Sequence, residues 1–279
     1  MNLKKTLPAI VLTLALMATM GIAVAGNGRG STDASSASAS AKKFSLPAHA
    51  IEVSPGVFYL GKAKDKGKVV EGYAFISKDG RTSKARKAKP VDSCYTFLAK
   101  DAKWKTVEPY IVDSANIDGL DGSFIAGNLA TDIGKWETAT GGFDILGDED
   151  SGTVDRDNIG SLNGANEVMF ANIDSPGAIG VTIIWGTFSA PKPFRELVEW
   201  DMVFDDTDFD WSEDCENDNC TNKMDFENIA THELGHAVGM GDLYTDACNT
   251  QTMYGYSWHG DIEKRTLESG DIEGINILY

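Results

Sequence analysis

The chain has 279 residues, 42% of them hydrophobic, with 42 Asp and Glu against 25 Lys and Arg. That length carries one domain with an accessory region, or two small domains, and the composition is that of a globular protein rather than a disordered or fibrous one. An acidic excess of this size repels phosphate and excludes a nucleic-acid binder.

The first 25 residues read as a secretory signal peptide. Lys4 and Lys5 form its positive end, Leu7 to Val24 its apolar core, and Ala23-Val24-Ala25 a small-x-small site cut after Ala25. Pro8 and Gly21 inside the run weigh against an uncleaved anchor. No later segment is long and apolar enough to span a membrane. The mature protein is therefore expected to be secreted, and a monomer by default.

Residues 26–43 are rich in Ser, Ala and Gly and read as a flexible linker. Residues 44–102 form a basic, β-rich N-terminal region. Strand-like pieces run from Ala50 to Leu60, broken by Ser54-Pro55-Gly56, and from Val69 to Ser77 before Lys78-Asp79-Gly80. Arg81 to Lys89 is a basic run that reads as a solvated linker or as a proteolytic activation site. Residues 26–103 hold 15 Lys and Arg against 7 Asp and Glu, whereas residues 104–279 hold 8 against 35. A basic segment ahead of an acidic domain suits a docking pro-region or accessory region, since opposite potentials favour association.

Further along, Val107 to Val112 reads as a strand. Gly119 to Glu137 reads as an amphipathic helix, with Phe124, Ile125, Leu129, Ile133 and Trp136 at helical spacing. Glu167 to Ile173, Ala178 to Phe188 and Leu197 to Phe204 read as strands. Two acidic loops lie between these elements, one with Asp148, Asp150, Asp155 and Asp157, the other with Asp205, Asp206, Asp208 and Asp210. Neither fits an EF-hand frame. They read as solvated turns, with calcium as the second reading because closely spaced carboxylates suit its oxygen-rich shell.

The four cysteines are Cys94, Cys215, Cys220 and Cys248, an even count that predicts two disulfides with three possible pairings. Cys215 and Cys220 close a short loop and are the first choice, which leaves Cys94 with Cys248.

The stretch from Asp225 to Asp242 reads DFENIATHELGHAVGMGD. His232 and His236 are one helical turn apart and share a face. Ile229, Leu234, Ala237 and Val238 supply the apolar stripe, and Asp225 is a candidate N-cap. H-E-x-x-H on a helix offers two neutral nitrogen ligands to zinc, with the Glu233 carboxylate beside the attacking water. Gly239 reverses the chain, so Asp242 can point back as a third ligand.

The string H-E-x-x-H-x-x-G-x-x-D resembles the metzincin zinc metalloproteases, with Asp242 where His is usual. Met253, within Thr252-Met253-Tyr254-Gly255-Tyr256, is similar to the Met-turn, although Gly255 stands where matrixins usually have Pro. Leu267 to Tyr279 resembles the closing helix of matrixin catalytic domains. The resemblance covers Lys103 to Tyr279. It implies an α+β fold, in which a twisted mixed β-sheet packs on the active-site helix and further helices, preceded here by the small β-rich N-terminal region. It also implies that Ala178 to Thr187 binds peptide substrate along a free edge by main-chain pairing, with an ordinary buried strand as the other reading. A matrixin pro-region carries a cysteine that ligates the zinc, so Cys94 has a second reading as such a switch, although its surroundings match that motif poorly.

The reading is a secreted, zinc-dependent endopeptidase acting on peptides or proteins. His232, His236 and Asp242 hold the zinc, Glu233 is the general base, and Tyr254 or Tyr256 is a further hydrogen-bond donor or a pocket wall. The alternative is an exported, inactive metal-binding or surface-interaction protein, against which the intact Glu233 argues.

Overall fold

The computed structural model describes residues 42–81 and 93–279. The signal peptide, nearly all of the linker and the basic run beyond Arg81 lie outside the described residues. The strands are β1 (Lys43–Phe44), β2 (Ile51–Ser54), β3 (Val57–Asp65), β4 (Lys68–Asp79), β5 (Tyr110–Asp113), β6 (Asn166–Ile173), β7 (Ala178–Gly186), β8 (Leu197–Asp205), β9 (Asp210–Ser212), β10 (Lys223–Asp225) and β11 (Tyr256–Ser257). The α-helices are α1 (Gly122–Ala139), α2 (Phe226–Ala237) and α3 (Ser269–Leu278).

One mixed sheet organises these elements as α+β. Its order is β1-β6-β8-β7-β4-β3-β2, with β5 beside β6 and β11 beside β4. β5, β6 and β8 are mutually parallel, whereas β7 runs antiparallel to β8. β6, β7 and β8 are buried along nearly their whole length because both faces of the sheet are covered. One face packs on α1 and α2 through Phe170, Ile184, Met202, Ile229 and Leu234. The other holds Val70, Ile76, Ile183 and Val203 under Val154, Ile159 and Leu162.

The β-rich N-terminal region is present, and its strands extend the same sheet. β4 pairs antiparallel with β7 along Glu71 to Lys78. The strand expected to offer a free edge for substrate is therefore paired on both sides, by β8 and by β4. α1 starts three residues later than its periodicity suggested, because Asp121 is its N-cap and accepts from Ser123 N and Phe124 N.

Both disulfides follow the first-choice pairing, Cys94–Cys248 and Cys215–Cys220. The Cys94 sulfur is thus committed to Cys248 and is not a thiolate switch. The bridge fixes the segment from residue 93 beside the loop that follows α2. At the end of α2, Trp104 Nε1 donates to Ala237 O at 2.8 Å and Tyr279 Oη to Val238 O at 3.0 Å, which satisfies carbonyls a helix end leaves bare.

The loop before β6 is pinned by buried carboxylates. Asp201 accepts from Gly160 N and Glu167 N, and Glu199 accepts from Asn163 N and Gly164 N. Burial raises the Asp201 carboxyl well above its usual range and pushes Glu199 from an ordinary 4.5 up to about 7. An acid that holds its proton more tightly in the fold stabilises most below its unfolded pKa, and that gain is lost as pH rises through the folded value. The melting temperature, taken in excess chelator at every pH, is expected to fall between pH 5.5 and pH 8. Glu199→Gln should shrink the fall, and an equal fall in that variant would remove Glu199 as its source.

Candidate metal centre

Helix α2 begins where Asp225 Oδ1 accepts from Asn228 N at 2.9 Å, and the Arg265 guanidinium grips the same carboxylate. Ile229, Leu234 and Ala237 are fully buried against the core, which leaves the His232 and His236 face for the centre. Gly235 lies between them because Met253 and Trp136 pack there; a Cβ would meet Met253 Sδ at 2.2 Å. Gly239 then takes φ +102°, a left-handed conformation that turns the chain back. That reversal delivers Asp242.

Asp242 Oδ1 stands 3.4 Å from both His232 Nε2 and His236 Nε2. These three side chains are the one group of potential ligands among the described residues whose donor atoms lie within 4.8 Å of one another. Each imidazole is oriented by its far nitrogen. His232 Nδ1 donates to Thr252 O at 2.7 Å and His236 Nδ1 to Met240 O at 3.1 Å. With the proton on Nδ1, each Nε2 presents a bare lone pair. Thr182 Oγ1 donates to Glu233 Oε2, and Tyr244 Oη donates to Asp242 Oδ2 at 3.0 Å.

Among the described residues, His232 Nε2, His236 Nε2, Glu233 Oε1 and Asp242 Oδ1 are all buried without a hydrogen-bond partner. Proteins avoid leaving even one such atom bare, and here three of the four, on His232, His236 and Asp242, gather in one group. Two imidazole nitrogens and one carboxylate oxygen are donors of the kind zinc takes. Burial lowers the His232 pKa, as does Lys264, whose Nζ lies 3.5 Å from His232 Nδ1. Burial would raise Asp242, yet the adjoining imidazoles of His236 and His232 hold it far below the usual carboxylate range. Asp242 is thus held as a carboxylate, while at His236 the lowering by burial is outweighed by that same charge, which raises the pKa, so proton and metal compete for this imidazole.

The centre is closed. His232, Glu233 and His236 have no exposed surface. Phe75 of β4 stacks on His236 with ring centroids 4.2 Å apart and planes at 19°. A cleft of about 430 Å³ ends against Asp242 and Tyr244 without reaching past Phe75 to the imidazoles.

The C-terminal helix supports the centre indirectly, since Asp271 accepts from Thr252 N and Met253 N and so holds the carbonyl that orients His232. Met253 is buried beneath the pair. Tyr254 stacks on Trp258, and Tyr256 packs edge-on against Tyr244 at 5.3 Å. The acidic loops form no comparable ligand group among the described residues. In the second loop Asp205 binds its own turn through Thr207 N and Asp208 N. Sequence reasoning missed Thr182, Tyr244, Lys264 and Phe75. Tyr244, two residues past Asp242, was within reach; the others arrive from distant elements.

The family model of the matrixins matches residues 189–279, the stretch that carries β8, α2, the Met253 turn and α3. No curated protein matches the chain. The match and the metzincin-like sheet mark a zinc metallopeptidase kind of protein. Tyr244→Phe removes the hydroxyl that orients Asp242, and outer-shell losses of this kind weaken metal binding ~10–100-fold. Competition with a chromogenic chelator should show zinc affinity at least ~10-fold lower in that variant. Unchanged affinity would leave Tyr244 without this role.

Proposed function

We propose, from the matrixin-like character of residues 189–279, that the chain is a secreted zinc endopeptidase. The observation that carries the reading is the meeting of three unpartnered buried atoms from His232, His236 and Asp242, with Glu233 Oε1 also left bare on the same helix. His232 and His236 through Nε2 and Asp242 through Oδ1 would hold the zinc. When bound, zinc supplies a Lewis acid that polarises the scissile carbonyl and makes water nucleophilic near neutral pH.

The remaining chemistry belongs to the chain. Thr182 anchors one oxygen of Glu233, which fixes the other, Oε1, toward the metal position. Oε1 takes the proton from the attacking water and returns it to the leaving amine. Tyr244 holds Asp242 Oδ2, so that Oδ1 is the ligand atom. Lys264 bridges Tyr254 O and Ser257 Oγ, which braces the turn around Met253.

Export is supported by the signal-like first 25 residues and by the two disulfides. No helix among the described residues is long and apolar enough to cross a membrane. The place for calcium is the second acidic loop, where Asp206 Oδ1 and, from the segment before α1, Asp118 Oδ2 lack partners among the described residues. A calcium titration that leaves the melting temperature unmoved would remove it.

The test pairs metal content with turnover. Purified chain is expected to hold one zinc, and His232→Ala with His236→Ala to hold none. Glu233→Gln should keep the zinc and lose casein hydrolysis by ~100-fold or more, the usual weight of a general base. Turnover is read on the intact chain and after a cut within residues 82–92. Equal hydrolysis by the native chain and Glu233→Gln would overturn the mechanism. Zinc without hydrolysis in either form would favour the inactive metal-binding alternative.

A further inference from the structure

Among the described residues, Lys264 is the one lysine or arginine that is buried. It comes from the short helical turn Glu263–Arg265, between β11 and α3. Its backbone N–H donates to Asn228 Oδ1 at 2.7 Å, which ties the turn to the helix of the two histidines. Its Nζ donates to Tyr254 O and to Ser257 Oγ, and lies 3.5 Å from His232 Nδ1. That nitrogen gives its own proton to Thr252 O, so it has no lone pair to offer Lys264. The ammonium therefore meets His232 as a charge and not as a hydrogen-bond donor.

Burying an ammonium is costly unless negative charge answers it. Burial pulls Lys264 from its ordinary 10.5 down to about 8, and Asp261, Asp242, Glu233 and Asp271 pull the other way. Asp242 and Glu233 belong to the centre itself. The two groups that Lys264 bonds, a carbonyl and a hydroxyl, are uncharged. Bracing them needs a donor, and a neutral amide would serve. What the lysine adds is a positive charge in a buried place, where charges act strongly. The centre has a use for it. Two imidazoles and a carboxylate are one unit more negative than three imidazoles would be, and an anionic ligand blunts a metal as a Lewis acid.

We infer that Lys264 is a positioning residue of the metal centre, whose buried charge offsets that of Asp242 and so trades zinc affinity for Lewis acidity. The inference rests on the peptidase reading for the metal, and on the geometry around His232 for the charge. It separates from bracing by sign. A cation beside a dication repels it, so removing the charge tightens zinc, whereas loss of a brace would loosen it. Groups beyond the ligands tune metal centres in this way.

The experiment uses the full chain at pH 7, where Lys264 keeps its proton. Lys264→Gln retains a donor and drops the charge; Lys264→Arg retains the charge. Competition with a chromogenic chelator should show zinc held at least ~10-fold more tightly by Lys264→Gln, with Lys264→Arg close to native. In the form of the chain that hydrolyses casein, kcat should fall ~10-fold in Lys264→Gln although its zinc is tighter, with KM unmoved. A second readout needs no metal. In excess chelator, the melting-temperature change on Lys264→Gln should be more unfavourable by ~4 °C with Asp242 present than in Asp242→Asn. Zinc held equally or more weakly by Lys264→Gln, or melting changes that simply add, would overturn the inference. Tighter zinc in Lys264→Gln with no hydrolysis by any form of the native chain would sink the peptidase reading and leave the charge assignment standing. If the native chain binds no zinc, that reading fails and the metal-free cycle alone decides the pairing of Lys264 with Asp242. If Lys264→Gln does not fold, Asp242→Asn should restore its folding, and failure in both backgrounds would make Lys264 a brace and nothing more.

Discussion

The centre depends on two hydrogen bonds from imidazole Nδ1 to main-chain carbonyls, at Thr252 and at Met240. Without them either tautomer would serve, and half the lone pairs would point away from the shared point. With them both Nε2 atoms are fixed as acceptors. Neither carbonyl is free to wander. Thr252 is held by Asp271 from the last helix, and Met240 N bonds back to Gly235 O within the turn that Gly239 makes possible. The last helix therefore acts on the centre through two steps of backbone, which explains why a buried acid in α3 sits at its N-terminal turn. Burial raises the Asp271 carboxyl, and three backbone N–H donors, from Glu268, Thr252 and Met253, oppose that rise.

Buried charge is tolerated here only where donors meet it. Asp201 and Glu199 each accept backbone N–H bonds from the loop they pin, and Asp225 meets an arginine. His232, Glu233, His236 and Asp242 each keep one atom bare, as Asp118 and Asp206 do, but among the described residues it is His232, His236 and Asp242 that gather theirs into one ligand group. That contrast within one protein is a stronger mark of a metal position than the motif alone, because the same chain shows what its satisfied carboxylates look like.

Much of this was legible in the sequence for a physical reason: local rules governed it. The i, i+4 spacing of His232 and His236, the Asp225 cap and the Gly239 reversal act within a few residues of one another, and each is present as read. The disulfide choice of Cys215 with Cys220 likewise rested on a short loop. The α1 boundary differs because apolar spacing marks the face of a helix and not its first residue, which the carboxylate of Asp121 sets by capping. The strand pattern of Val69 to Ser77 announced β4 but not its neighbour. Alternation fixes which side chains face together, and says nothing about which of several apolar strands will lie alongside.

That silence concealed the main consequence of the fold. An all-buried β7, nine residues without one exposed side chain, is costly as a free edge. β4 removes that edge by pairing along it from Glu71 to Lys78. Phe75 of that strand shields the His236 imidazole, whose Nε2 has no hydrogen-bond partner. The small residues at Gly180 and Ser77 become intelligible together. A larger side chain at 180 would strike Glu233, and Ser77 lies opposite Gly180 in the ladder.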